Sequence, residues 1–215
     1  MAILDQIKSQ GRTKAKRLTP EEKQTAILDA AYACFAEHGF SSARMDDIAA
    51  KACVGKGTIY LYYPNKPALF EALIKRDISP RVEKLISAVL VYQGSLDEAL
   101  KLILEVLATM IEKGQVPIYP KLLMAEAHRF PQLAQIYRDE VVLRILTAFT
   151  TLFQRAMDEG QIETGDAYLT AHLFIAPIVK SIMWSFMFGQ FDNEDFPVRV
   201  QFSQHCQQFL RGLRT

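Results

Sequence analysis

The stretch from Lys56 to Lys66, KGTIYLYYPNK, gathers side chains that suit one kind of chemistry, hydrogen bonding to a polyanion. Lys56, Thr58 and Tyr60 are short polar, basic or hydroxyl-bearing groups near a helix start, where such groups reach base edges in a major groove. Tyr62 and Lys66 lie further along, where a hydroxyl and an ammonium suit phosphate oxygens. Gly57 removes bulk, so that backbone could approach a duplex. Tyr60, Tyr62 and Tyr63 have a second possible role as core aromatics; Ile59 and Tyr63 are the pair expected to turn inward.

These groups need an element to hold them. Upstream, MDDIAAKA predicts a short helix whose buried side is Met45, Ile48, Ala49 and Ala52, followed by a break at Cys53-Val54-Gly55. Two helices joined by a short turn form a helix-turn-helix. Thr19-Pro20-Glu21-Glu22 opens an earlier helix with a capping box, and Ile27, Ala30, Ala31, Cys34 and Phe35 give it an apolar stripe that Gly39 should end. Ser41, Ser42 or both are placed to cap the second helix, and Pro64-Asn65 to stop the third and cap the fourth.

The fourth helix carries apolar residues from Leu69 to Val89, with a kink or brief interruption expected near residues 77–79 because of Pro80. Beyond it the pattern remains helical. Ser95 to Glu98 is a second capping box, opening a helix to Gly114. A shorter helix is expected over residues 120–129, a long one from Pro131 to Glu159, an apolar one from Asp166 to Phe188 interrupted at Pro177, and a last one from Phe196-Pro197 to Leu213. The fold class is therefore all-α, with about nine helices. A basic arm (1–18) precedes a helix-turn-helix domain (19–66) and a larger helical domain (67–215).

Lys and Arg outnumber Asp and Glu over the first 66 residues and are outnumbered in the rest, which places the nucleic-acid-facing end at the N-terminus. The arm, with Lys8, Arg12, Lys14, Lys16 and Arg17, suits DNA phosphates or plain solvent equally. Three cysteines at no metal-ligand spacing and four scattered histidines predict neither a metal site nor a cofactor. No nucleophile elbow, phosphate loop or paired carboxylates beside a histidine support an enzyme. Without a secretory signal or a long uncharged apolar run, the chain is expected in the cytoplasm, away from membranes.

From Thr25 to Leu73, ILDAA, FAEHGF, DDIA, GKGTIY and YPNK stand in one register, and this stretch resembles the DNA-binding domain of TetR-type (AcrR-like) transcriptional repressors. AEAHRFPQL, residues 125–133, is similar to a segment of many regulatory domains in that family. The resemblance implies a homodimer on double-stranded DNA at a pseudo-palindromic operator, with a C-terminal domain that binds a small effector. By motif position it implies that Lys56, Gly57, Thr58, Tyr60, Leu61 and Tyr62 line the DNA, with Lys66 on a phosphate and Arg44 near another. The sequence departs from the pattern at Ala43, where a capping Thr is usual, at Cys53, where the turn usually has Gly, and at Gly55, which replaces a Ser cap.

An apolar effector pocket would be lined by Met110, Tyr119, Met124, His128, Phe149, Phe153 and Phe174, which favours a hydrophobic or amphipathic molecule. Phe174, Ile178, Ile182, Trp184, Phe202 and Phe209 are the expected dimer interface, because the last two helices carry more apolar surface than one side can bury. The competing reading is a DNA-binding regulator that acts through a protein partner with no small effector.

Overall fold

The computed structural model describes residues 18–113, 117–189, 191 and 197–213. Residues 1–17 of the basic arm (1–18), Gly114 and Phe196 therefore lie outside the described residues. Ten helices and no strand occur among those described.

Helix α1, Pro20–Ser42, begins as its cap predicts: the Glu22 N–H donates to the Thr19 hydroxyl at 3.2 Å, and the Thr19 N–H to the Glu22 carboxylate at 2.7 Å. Gly39 breaks its regular backbone with φ 77° and ψ 167°, and one further turn runs to Ser42. Helix α2, Met45–Lys51, starts from Arg44 with no side-chain cap. The expected Ser41 or Ser42 cap fails because both residues are still wound into the last turn of α1, too far back to reach the first amides of α2. Asp46 and Asp47 in the first turn still favour the positive end of its dipole.

Cys53 turns the chain into the left-handed region, φ 54°, as its place in the turn requires. Replacing it with glycine removes the clash that a Cβ suffers there. Cys53→Gly is expected to raise stability by up to about 1 kcal/mol, read as a higher urea midpoint; a lower midpoint would contradict the assignment.

Gly55 caps α3, Lys56–Tyr62, and the Asn65 side chain caps α4, Lys66–Asp77, by accepting the Ala68 N–H at 2.9 Å. The expected break is present: α4 stops at Asp77 and α5, Ser79–Val91, starts beyond Ile78, with Pro80 in its first turn, where the missing N–H costs nothing. This split accounts for the helix beyond the nine expected. Helix α6, Leu96–Glu112, has the predicted capping box between Ser95 and Glu98. Helix α7, Tyr119–Glu126, is shorter than expected at its C-terminal end. Helix α8 runs through Pro131–Tyr137, a π-helical turn at Arg138–Val142, and Leu143–Asp158.

Helix α9, Ala167–Met187, corrects the expected interruption, since it continues through Pro177. Phe174 and Ile178 are buried on either side of the proline, and the Ser181 hydroxyl donates to the Pro177 carbonyl at 2.9 Å. Helix α9 is long and apolar enough to cross a membrane by length and composition alone, and 28% of its apolar window is buried within the chain. Helix α10, Val198–Gly212, packs chiefly along α6.

Two apolar cores result, and their border does not fall at residue 66. The first joins α1 to α4 with Val82 of α5, Tyr119 and Leu122 of α7, and Leu133 and Val141 of α8. The second joins Val89 of α5 with α6, the later part of α8, α9 and α10. Helices α5 and α8 pass from one core into the other. On α8 the π turn lies at the border, between Val141 of the first core and Leu146 of the second, whereas Ile78 lies within the first core, one turn before Val82.

Candidate nucleic-acid interface

The apolar side of the helix-turn-helix is buried as its pattern predicts: Met45, Ile48, Ala49 and Ala52 on α2 and Ile59 on α3 all enter the first core. Tyr63, just past the end of α3, joins them. Fixing those positions turns the opposite face of α3 outward. Lys56, Gly57, Tyr60 and Leu61 are exposed, with Leu61 at 85% and Tyr60 at 49%. An 85% exposed leucine is almost uncovered by its own chain, while a duplex offers thymine methyls to such a group. Thr58 is half-buried, and so is Tyr62, which leans on the first core with its ring 6.4 Å from that of Tyr63. A Cβ built on Gly57 meets no atom within 4 Å, so its side of the helix stands open to an approaching surface.

The charged groups divide in two. Arg44 is exposed at the start of α2, and its side chain makes no hydrogen bond or ion pair among the described residues. Lys56 donates to Asp46 of α2 at 2.5 Å, and this bond and charge raise the ammonium's pKa. A phosphate would therefore displace a carboxylate from Lys56 rather than meet a bare cation. Asp46 carries no signal in the sequence that it will meet Lys56; its place beside that side chain, on the neighbouring helix, is a tertiary fact.

Lys66 is a correction. Expected on a phosphate, its ammonium instead points inward and donates to the carbonyls of Phe40 and Ser41 at 2.6 and 2.9 Å. It lies 4.8 Å from the centre of the Phe40 ring and 5.8 Å from that of Phe130. Burial lowers its pKa, opposed by the charge of Glu126. The reason is the kink at Gly39, which leaves the carbonyls of the last α1 turn without helical donors.

The pocket expected in the body is not assembled. Tyr119 is sealed in the first core, while Phe149, Phe153 and Phe174 pack together in the second, tilted or edge to face, with centroids 5.6 to 6.4 Å apart. Met110 and His128 lie elsewhere, and Met124 is exposed. Helices apolar on several sides carry no pattern that says which residues share a space. A cleft of about 240 Å³ lies between α6 and α10, lined by Leu104, Ala108, Phe202, Ser203 and Cys206 with Lys101, Glu105 and Arg199. Its cations are already paired, Lys101 with Asp97 at 2.6 Å and Arg199 with Glu105 and, at 2.8 Å, Glu112.

The expected dimer residues also divide. Phe174, Ile178 and Phe202 are buried in the chain's own second core, and Phe209 and Ile182 pack against it. Trp184 lies near the end of α9, its ring 4.8 Å from that of Phe188. The outward stripe of α9 is another set, Leu169, Leu173, Val179, Met183 and Met187, recurring at helical spacing.

Two short helices in a fixed turn, presenting a polar and unsupported outer face ahead of a large helical body, define a helix-turn-helix transcriptional regulator. Sequence profiles agree: that of bacterial regulatory proteins of the tetR family matches residues 27–73, and that of the AefR-like transcriptional repressor C-terminal domain matches residues 98–199. The chain belongs to the TetR family. Among its relatives, the repressor SCO4008 of Streptomyces coelicolor is 46% identical over 57 residues, which span 26% of this chain and 30% of that protein. The repressor LfrR of Mycolicibacterium smegmatis is 30% identical over 61% of this chain and 67% of its own length. The Bacillus subtilis regulator FadR, solved in complex with stearoyl-CoA, superposes with a TM-score of 0.69 at 20% identity, covering 88% of this chain and 99% of that one.

Proposed function

We propose that the protein is a homodimeric, non-enzymatic repressor in the cytoplasm, holding a pseudo-palindromic operator through paired α3 helices until a small hydrophobic or amphipathic effector binds the helical body. The observation that carries the DNA contact is the outer face of α3, where Lys56, Thr58, Tyr60, Leu61 and Tyr62 surround the open Gly57. Arg44 adds an exposed cation at the start of α2. The stripe from Leu169 to Met187 supports pairing of two copies, because it leaves the most apolar helix of the chain largely uncovered.

Selection of duplexes from a random pool tests the operator reading directly. With the selected duplex, Lys56→Ala is expected to weaken binding and to lower the slope of log affinity against log salt by about one unit. An unchanged slope would remove Lys56 from the phosphate contacts. For the effector, thermal stability measured against a series of acyl-CoA thioesters is expected to rise with ligand concentration, as binding to the folded state alone requires. A chain that binds its duplex and shifts with no such ligand would favour the protein-partner reading.

A further inference from the structure

Helix α7 has only eight residues, yet Tyr119, Leu122 and Glu126 are 0%, 7% and 8% exposed. Spaced three and seven apart, they form one face, and that face lies against the DNA-binding head. A buried carboxylate is costly unless it is bonded or paired. Both groups that compensate Glu126 belong to the head. Its Oε1 accepts the Ser41 N–H at 2.9 Å, and it acts electrostatically on the half-buried ammonium of Lys66.

The kink that follows Gly39 is thereby held from two sides, its amide by α7 and its carbonyls by the first residue of α4. Gly39 makes room for this, since a Cβ there would stand 3.3 Å from Glu126 Oε1. Two turns earlier on α7, the Tyr119 hydroxyl donates to Asp77, the last residue of α4, whose other oxygen accepts Arg76 Nε at 2.6 Å. Arg76 in turn donates to Asp29 of α1 at 2.7 Å. Phe130, just beyond α7, meets Phe40 edge to face at 5.0 Å.

We propose that Glu126 is a positioning residue for the DNA-binding head: with Tyr119 as a second clip, it joins α7 to the head as one rigid block, so that the position of α7 in the body sets the orientation of each recognition helix. This rests on the reading of the protein as an operator-binding dimer, and it assigns to the segment AEAHRFPQL a mechanical task.

The test uses the full-length protein with a nitroxide on Cys53, the exposed cysteine of the head; Cys34 and Cys206 are buried. Dipolar spectroscopy then reports the distribution of head-to-head distances in the dimer. Wild type and Glu126→Gln, which keeps an acceptor for Ser41, are expected to give one narrow distribution. Glu126→Ala should widen it about twofold and weaken the selected duplex about tenfold, as for loss of one charge-assisted hydrogen bond, while affinity for random duplex holds. Tyr119→Phe, which keeps the buried ring, should widen it as well.

A folded Glu126→Ala with wild-type width and wild-type operator affinity would overturn the proposal. If that variant does not fold, an unchanged width in Tyr119→Phe overturns it instead. A wild-type protein that selects no duplex would remove the operator reading, while the widths would still decide this one.

Discussion

Phe174→Ala is expected to cost about 3–5 kcal/mol of folding stability, a large share of what a folded domain has to lose. The ring is fully buried at the centre of the second core. It meets Phe149 at 5.6 Å, Phe153 at 5.7 Å and Phe209 at 5.2 Å, and His205 stacks on it at 5.1 Å. Four rings on α8 and α10 lose a shared partner, and helices pinned by their other contacts have little freedom to close the gap. A urea titration would show the loss as a lower midpoint. The neighbouring Leu173 points the other way and is exposed. Leu173→Glu should leave the midpoint of the isolated fold nearly unchanged and shift sedimentation toward monomer. The reverse pattern, with Phe174 controlling association and Leu173 controlling stability, would mean that α9 is rotated about its axis so that Leu173 faces the core.

Gly39→Ala is expected to cost about 1–3 kcal/mol from backbone strain alone. Its φ of 77° with ψ of 167° is a conformation that side-chain-bearing residues scarcely adopt. The new methyl would also press on the Glu126 carboxylate at 3.3 Å, a group with little room to retreat because it is buried and bonded to Ser41. Both effects fall on the junction between head and body, so the variant should lose operator affinity as well as stability. A variant as stable as the parent would show that Gly39 does not hold this left-handed conformation.

Much of the head was legible because its signals are local. Thr19 with Glu22 and Asn65 before Pro67 each determine a helix end and Gly39 a kink within a few residues of themselves, and the spacing of Ile48, Ala49 and Ile59 determines which face is buried. Lys66 and Glu126 were not legible. The hydrogen bond from Ser41 to Glu126 joins positions 85 apart, and nothing in the neighbourhood of either residue announces the other. A signal for Glu126 did exist: a lone carboxylate on the Tyr119–Leu122 face of α7 must find a partner if that face is buried.

In the body the difficulty was different. Helix α9 is apolar nearly all round, so Phe174 and Leu173 look alike in the sequence although one is core and the other surface. A helix with no polar side cannot be oriented by its own pattern, which is why Phe174 and Ile178, expected at the interface, turn out to lie in the chain's own core.

The π turn in α8 bears on what this chain can lose or gain. A single such turn holds about one residue more than the α-helical turns around it. Removing one residue from the segment 138–142 would restore regular winding and turn the two ends of α8 by about 100° relative to each other. Leu133 and Val141 serve the first core, and Leu146, Phe149 and Phe153 the second, so no single rotation of a regular helix would then satisfy both sets. The surplus residue acts as a phase adapter between two otherwise independent packing problems. Substitutions within 138–142 should therefore be tolerated far better than a change in its length.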